Sequence, residues 1–413
     1  MFCNKIFETI LRFFNFCTVK IKNSVYVDIE INSKNNCEDI INNGSNNVLK
    51  FLSEFIERKF EKKIIVFVEY FADERLEEYK KIAQKAEQNN VKLIFLRDHE
   101  DKKGWEKFRL LFKKFRFLCK SQIRLVNTGD TNLHGKLKKQ YLFDLNYYIS
   151  CKNDFLPGKN LRWHHLDGIL TTSLLHSTVV SAQTGVKYDN CCELGFPRND
   201  TLFQRRGEDK IFNWIIEELG YRPEKIIIYA PTYRDYETYG DDIKERHLFG
   251  YDIPDLENYL VKNKLCLIYK AHNLQKKAIL KYPKGVINFH ICYDFSFYDL
   301  MSLADCVITD YSSLGYDFML LGRPLIYNLY DLDQYVEDRG VSYYPYEDFC
   351  PGGVVTNADE MMSELNRLLN NIDYYKEKRE RLLKMFHKYS DNRSSERVID
   401  YFSKKFGFLY EKD

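Results

Sequence analysis

The sequence predicts an α/β protein of two doubly wound domains facing each other across a cleft. Three observations carry that reading. Short β-branched apolar runs alternate with amphipathic stretches along almost the whole chain. The alternation restarts after a polar segment that ends in glycine, Phe203–Gly207. The 413 residues also exceed what one hydrophobic core usually organises. Strands that alternate with helices run parallel, because each return crosses a face of the sheet as a helix.

Taken in order, the first element stands apart. Met1–Lys22 carries Ile6, Phe7, Ile10, Leu11, Phe13, Phe14 and Cys17 among Lys5, Arg12, Lys20 and Lys22. Apolar positions three and four apart predict a helix with a broad apolar stripe. Glu8, Arg12 and Asn15 interrupt it, so it falls short of the roughly 20 apolar residues of a membrane span. No small-x-small cleavage pattern follows it, as one would in a signal peptide. Two readings stay open: an amphipathic segment lying on an anionic membrane surface, or a helix packed on its own domain. Beyond it, Val25–Ile29, Ile64–Val68, Val91–Leu96 and Ile169–Thr172 read as strands, and Asn46–Lys62, Asp73–Asn90 and Trp105–Leu118 as helices. In the second half Ile226–Ala230, Leu265–Lys270, Cys306–Thr309 and Leu325–Tyr330 are strand-like, with helical segments between or after them. The expected division is a segment over 1–22, a first domain over 23–203 and a second over 204–413.

Composition excludes several classes. Sixty-two Lys and Arg against sixty Asp and Glu leave a net charge of +2, which argues against a nucleic-acid binder. An anionic ligand must then be met by local basic clusters. The eleven cysteines are scattered, with no C-x-x-C pair, as suits small core residues in a reducing compartment. No carboxylate cluster has metal-ligand spacing, so no cofactor is expected, and any Mg²⁺ would arrive weakly held with a substrate.

In doubly wound sheets ligands bind beyond the carboxyl ends of the strands. Three consecutive strand ends in the second half carry suitable groups. After Ile226–Ala230 comes Pro231-Thr232-Tyr233-Arg234. After the next strand comes Lys270-Ala271-His272, where strand alternation puts Lys270 and His272 on one side. After Cys306–Ile308 comes Thr309-Asp310-Tyr311-Ser312-Ser313, then an apolar segment to Leu321 closed by Gly322. Ser312 or Ser313 can cap that helix and, with its free N–H groups, form an anion site. Each motif alone has an ordinary structural explanation: a plain cap, a satisfied histidine, a surface salt bridge for Arg234. Together, an arginine, a lysine with a histidine, and a helix start suit phosphate.

These segments also resemble a known family. Tyr229-Ala230-Pro231-Thr232-Tyr233-Arg234 looks like its "APTYR" segment and Lys270-Ala271-His272 like its "K-x-H-P" segment, with Asn273 where the family usually has proline. Thr309–Ser313, with Asp317 and Gly322-Arg323-Pro324, resembles "TDYSS…D…GKP", and Gly195-Phe196-Pro197-Arg198-Asn199-Asp200 resembles "GYPRND". Tyr330–Tyr335, Arg339-Gly340 and Pro351-Gly352-Gly353 continue the match, which spans about residues 195–355. The family is the CDP-glycerol glycerophosphotransferases, the teichoic-acid primases and polymerases with their ribitol-phosphate relatives.

The resemblance implies a GT-B architecture of two Rossmann-like domains, with the acceptor side in the first and the nucleotide site in the second. It implies a peripheral protein on the cytoplasmic face of the membrane. The donor would be CDP-glycerol, CDP-ribitol or a similar alditol, and the acceptor a lipid-linked saccharide or a polyol-phosphate chain. The acceptor hydroxyl would attack the β-phosphorus of the donor and CMP would leave. The family's "WHGTPLK" segment, which holds its proposed base, has its best counterpart in Leu133-His134-Gly135-Lys136-Leu137-Lys138. His134 is favoured over His164 and His165 because Gly135 permits close backbone approach. His134 would take the hydroxyl proton, while Lys270, His272, Ser312 and Ser313, with Arg234, would hold the diphosphate and its developing charge. Asp317, four residues after Ser313, either accepts from ribose or cytosine or is a buried structural carboxylate. Two rival classes stand beside this reading: a nucleotide-sugar glycosyltransferase of the same fold, and a non-catalytic polymer- or lipid-binding relative.

Overall fold

The computed structural model describes residues 24–27, 47–70, 76–97, 104–126, 140–146, 148–149, 151–152, 165–232, 234, 247–270, 282–289 and 295–411. The segment Met1–Lys22 lies outside them.

Seven short strands form the first sheet: β1 (Ser24–Val27), β2 (Ile64–Tyr70), β3 (Val91–Arg97), β4 (Ile123–Val126), β5 (Tyr141–Asp144), β6 (Gly168–Thr171) and β7 (Cys191–Glu193). They run parallel in the order β3-β2-β1-β4-β5-β6-β7. Helices α1 (Asn47–Glu57), α2 (Leu76–Gln88), α3 (Gly104–Lys120) and α4 (Leu174–Thr184) connect them. The first three match the helices expected from the apolar periodicity, with ends moved by a few residues. After α5 (Glu208–Leu219) the second sheet repeats the plan with β8 (Lys225–Tyr229), β9 (Leu265–Tyr269), β10 (Val286–Asn288), β11 (Cys306–Thr309), β12 (Leu325–Asn328) and β13 (Gly353–Val355). Its order, β10-β9-β8-β11-β12-β13, is again all parallel. Helices α6 (Leu256–Lys262), α7 (Phe297–Leu303), α8 (Leu314–Phe318), α9 (Leu332–Asp338) and α10 (Ala358–Asn370) accompany it.

Why these residues become strands is plain in the second sheet. β9, β11 and β12 are buried at every position, so continuous apolar runs, not alternating ones, are what both covered faces require. The strands that the periodicity did not signal are β4, β5, β7, β10 and β13, of three or four residues each. Arg124 interrupts β4 and Asp144 closes β5, while the three residues of β7, β10 and β13 are too few to display a period.

The order reverses between β8 and β11, which pair through Val307↔Ile228 and Ile308↔Tyr229. Connections on either side leave in opposite directions, opening a crevice at the carboxyl ends of these two strands.

One feature departs from the division at 203/204. After α11 (Lys376–Phe386), the chain returns to the first domain as α12 (Ser394–Phe406). Phe402 packs on Phe143 and Phe51, with ring centroids 5.0 and 5.8 Å away. Tyr410 then bridges to Phe60. The buried stripe Val398–Ile399–Phe402 needs an apolar face, and the face it covers includes α1 of the first domain. Residues 394–411 are therefore spatially part of the first unit. Among the described residues no helix is long and apolar enough to cross a membrane.

Candidate active site

A pocket of about 170 Å³ lies at the crevice between β8 and β11 and is walled by both domains. From the second domain come Ala230, Pro231 and Thr232 after β8, Lys270 after β9, and Ser312, Ser313 and Leu314 after β11. From the first come Tyr148, Ile149, Cys151 and Lys152, in the loop after β5. That loop is strapped to the second domain. The Cys151 thiol donates to the Tyr311 carbonyl (3.0 Å), the Ser342 amide to the Cys151 carbonyl (3.1 Å), and the Ser342 hydroxyl to the Lys152 carbonyl (2.9 Å).

Lys270 is the second domain's cation on this surface, opposite Lys152 of the first. Its Nζ lies 5.1 Å from the ring centroid of Phe297, which also lines the pocket. Among the described residues no carboxylate pairs with it, and burial lowers its ammonium pKa. Ser312 accepts weakly from the Leu314 amide through Oγ (3.3 Å), whereas Ser313, at the N-cap, makes no capping bond. The helix it opens is only five residues, continued by a 3₁₀ turn to Leu321 and closed by Gly322 at φ 66°. Gly315 lets this helix press on β12, since a Cβ there would run into the Tyr327 hydroxyl. The pocket thus offers the Lys270 and Lys152 ammonium groups and two serine hydroxyls, groups that receive phosphate oxygens, beside the ring of Phe297.

Arg234 is placed otherwise than the sequence suggested. Its guanidinium is fully buried behind the pocket. It meets Asp331 at 2.6 and 3.1 Å, Asp310 at 2.9 Å and the Thr232 carbonyl at 2.8 Å. The stacked rings of Tyr311 and Tyr335, 3.6 Å apart, flank it. Burial disfavours its charge, but Asp310 and Asp331 override that and hold its pKa above the ordinary value. With two carboxylates on it, Arg234 ties the loop after β8 to Asp310 and Asp331. Asp310, a residue the motif reading did not single out, completes the knot. It accepts from the Thr232 amide (2.9 Å) and hydroxyl (2.6 Å) and from the Tyr311 amide (2.6 Å), tying the β8 loop to the β11 loop.

Asp317 is likewise structural. It is fully buried and accepts from Arg198 (2.7 and 3.1 Å), Asn199 (3.1 Å) and the Tyr298 hydroxyl (2.6 Å). The alternative of a buried carboxylate holds, and no ribose or cytosine contact is assigned to it. The structure therefore brings Lys270, Ser312 and Ser313 together and sets Arg234 and Asp317 behind them. His134, His164 and His272 lie outside the described residues; His165 is described and does not line this pocket. The first-domain wall was missed by sequence reasoning, because Tyr148–Lys152 matches no motif. Among the described residues no group of three or more His, Cys, Asp or Glu converges as a metal site.

Comparison with known proteins adds the following. Residues 51–404 match the profile of the CDP-Glycerol:Poly(glycerophosphate) glycerophosphotransferase family. The chain is 33% identical over 217 residues to the teichoic acid ribitol-phosphate polymerase TarL of Staphylococcus aureus, covering 52% of this chain and 37% of that one. It is 26% identical over 294 residues to the teichoic acid glycerol-phosphate primase of Bacillus subtilis, covering 68% of each. The match to TarL thus spans less than half of that polymerase. Among solved structures, the wall teichoic acid polymerase TagF superposes with a TM-score of 0.70 at 19% identity, covering 97% of this chain and 94% of that one. A UDP-N-acetylglucosamine 2-epimerase structure from Listeria monocytogenes superposes at 0.55 and 16% identity, covering 94% and 98%. These likenesses establish the two-domain GT-B-like fold.

Proposed function

The chain belongs to the CDP-glycerol:poly(glycerophosphate) glycerophosphotransferase family, and from that premise we propose that it transfers an alditol phosphate from a CDP-alditol to a hydroxyl of a teichoic-acid-like acceptor, releasing CMP. The observation that carries the reading is the pocket at the β8/β11 crevice, where Lys270, paired with no carboxylate among the described residues, stands beside Ser312 and Ser313. An ammonium held in a low-dielectric setting stabilises charge that builds on a leaving phosphate more strongly than it would in water. Lys270 receives the diphosphate, the serine hydroxyls donate to its oxygens, and Lys152 faces them from the acceptor side. His272 joins the donor side, and His134 takes the acceptor proton, a step whose base is worth about 10²–10⁴-fold in turnover. Any Mg²⁺ enters with the substrate.

Incubating the protein with CDP-glycerol, CDP-ribitol and membranes, and weighing the acceptor products, tests the reading. The acceptor gains one alditol phosphate per turnover; no mass change with any CDP-alditol refutes it. In the same assay His134→Ala abolishes most turnover while donor binding survives. An active His134→Ala beside a dead His165→Ala would move the base.

The reading includes peripheral attachment to an anionic membrane at the cytoplasmic face, with the acceptor presented there. Support comes from α3, which turns Trp105, Phe108 and Phe112 outward, 77%, 55% and 45% exposed, on one face. Its sequence GWEKFRLLFKKFRFLCK carries six basic residues and one acid. Aromatic rings with flanking cations suit an anionic lipid surface. Sedimentation with phosphatidylglycerol vesicles checks it: Trp105→Ala with Phe108→Ala releases the protein, and unchanged binding rejects this face.

A further inference from the structure

The two walls of the pocket belong to different domains, yet a continuous buried polar chain joins them. Asn47, the first residue of α1, is fully buried. Its amide group donates to the Leu145 carbonyl (3.0 Å) and the Asn146 carbonyl (2.5 Å), pinning the turn that leads into Tyr148–Lys152. Asn146 sits at φ 50°, and its own amide bonds to Asp144 (2.7 Å) while its side chain bonds to the Leu170 carbonyl (3.1 Å). From the other side, Asn47 Oδ1 accepts from the backbone amide of Arg198 (3.1 Å). The Arg198 guanidinium then grips Asp317 at 2.7 and 3.1 Å.

Asp317 divides that grip between two second-domain elements. It belongs to α8, whose start carries Ser312, Ser313 and Leu314 into the pocket. It also accepts from Tyr298 of α7 (2.6 Å), the neighbour of Phe297, against which Lys270 rests. Arg198 is buried and flanked by the rings of Phe196 and Tyr298 at 4.7 and 5.6 Å. A buried arginine–carboxylate pair of this kind adds little net stability but allows one geometry only.

We propose that Asn47, Arg198 and Asp317 are positioning residues that set the spacing between the acceptor-side wall and the Lys270–Ser312–Ser313 wall. The proposal rests on the reading that this pocket holds the transferred phosphate. Transfer needs the attacking oxygen within about 3–3.5 Å of phosphorus, and a misplacement of about 1 Å costs on the order of 100-fold. Binding of the donor alone needs only the second-domain wall. Disturbing the Asn47 arm therefore lowers kcat for transfer and leaves donor affinity in place, whereas a merely structural residue would weaken both with stability.

Asn47→Asp is the variant of choice, since a carboxylate still accepts from the Arg198 amide but cannot donate to the Leu145 and Asn146 carbonyls. Two measurements are made on the full chain: amide hydrogen exchange across residues 145–152, and kcat against CDP-glycerol Kd. The expected result is faster exchange in 145–152, kcat for transfer down about 10- to 100-fold, and Kd within about twofold. Arg198→Lys, which keeps the charge but loses the fork to Asp317, gives the same kcat loss. Unchanged exchange in a folded Asn47→Asp protein overturns the proposal, as does a loss of donor affinity equal to the loss of kcat. If the wild type neither binds nor uses CDP-alditols, the functional reading falls, and the exchange result still decides the coupling of the walls.

Discussion

Two polar layers lie one behind the other at the carboxyl edge of the second sheet, and they follow opposite rules. In the rear layer each charged group is matched: Arg234 with Asp310 and Asp331, Arg198 with Asp317. In the front layer Lys270 meets a ring and, among the described residues, no carboxylate, and Ser313 makes no capping bond. Burial forces the first rule, because an unmatched interior charge is costly. The second rule leaves groups to be matched by something from outside. Arg234, the most basic-looking motif residue, is already matched by two carboxylates, whereas among the described residues Lys270 is matched by none.

Substitutions in the two layers should therefore fail differently. The largest effect is expected in the rear. Arg234→Met strands buried Asp310 and half-buried Asp331, and stability falls by about 3–5 kcal/mol in a denaturant titration. A well-folded Arg234→Met protein with lost donor affinity would instead make Arg234 a ligand and erase the distinction. In front, Lys270→Met removes one charge-stabilising group. Turnover falls about 10²–10³-fold, or about 2.7–4 kcal/mol in the barrier, while the unfolding midpoint stays close to that of the wild type. A collapse of stability in Lys270→Met would place it in the rear layer.

A smaller, pH-dependent effect sharpens the same contrast. His176 and His387 are buried near Arg198, and burial depresses both, His176 to about 3. His176 Nδ1 accepts from the Thr172 amide (3.2 Å), so His176 is neutral when folded, while His387 Nε2 donates to the Tyr316 carbonyl (2.9 Å). The unfolded chain binds protons below about pH 6.5 and the folded chain does not. Stability from His176 is then full above about pH 6.5 and is lost toward about pH 3, at about 1.4 kcal/mol per pH unit. Unfolding measured from about pH 7 to about pH 5 shows that slope, and His176→Asn flattens it. An equal slope in the variant would assign the acid sensitivity elsewhere.

How much of this was legible in the sequence follows the same divide. That Lys270, Ser312 and Ser313 converge was legible because strand ends in a doubly wound sheet share one edge, and β8, β9 and β11 stand out as apolar runs. The partners of Arg234 and Asp317 were not legible. Asp331 is 97 residues from Arg234, and Arg198 is 119 from Asp317, distances over which periodicity says nothing. The return of α12 to the first domain was hidden for the same reason: its apolar stripe announces a buried face but not which face covers it. The strap at Cys151–Lys152 carries no motif, so only the folded chain shows that it walls the pocket.

The central claim is that the front layer stabilises charge on a phosphoanhydride leaving group, and the nucleotide released tests it most directly. Chromatography of the soluble products from a reaction with CDP-glycerol or CDP-ribitol and membranes should show CMP accumulating in step with acceptor mass. Lys270→Met should suppress both together. Release of a nucleoside diphosphate from a sugar donor, with CDP-alditols inert, would contradict the account.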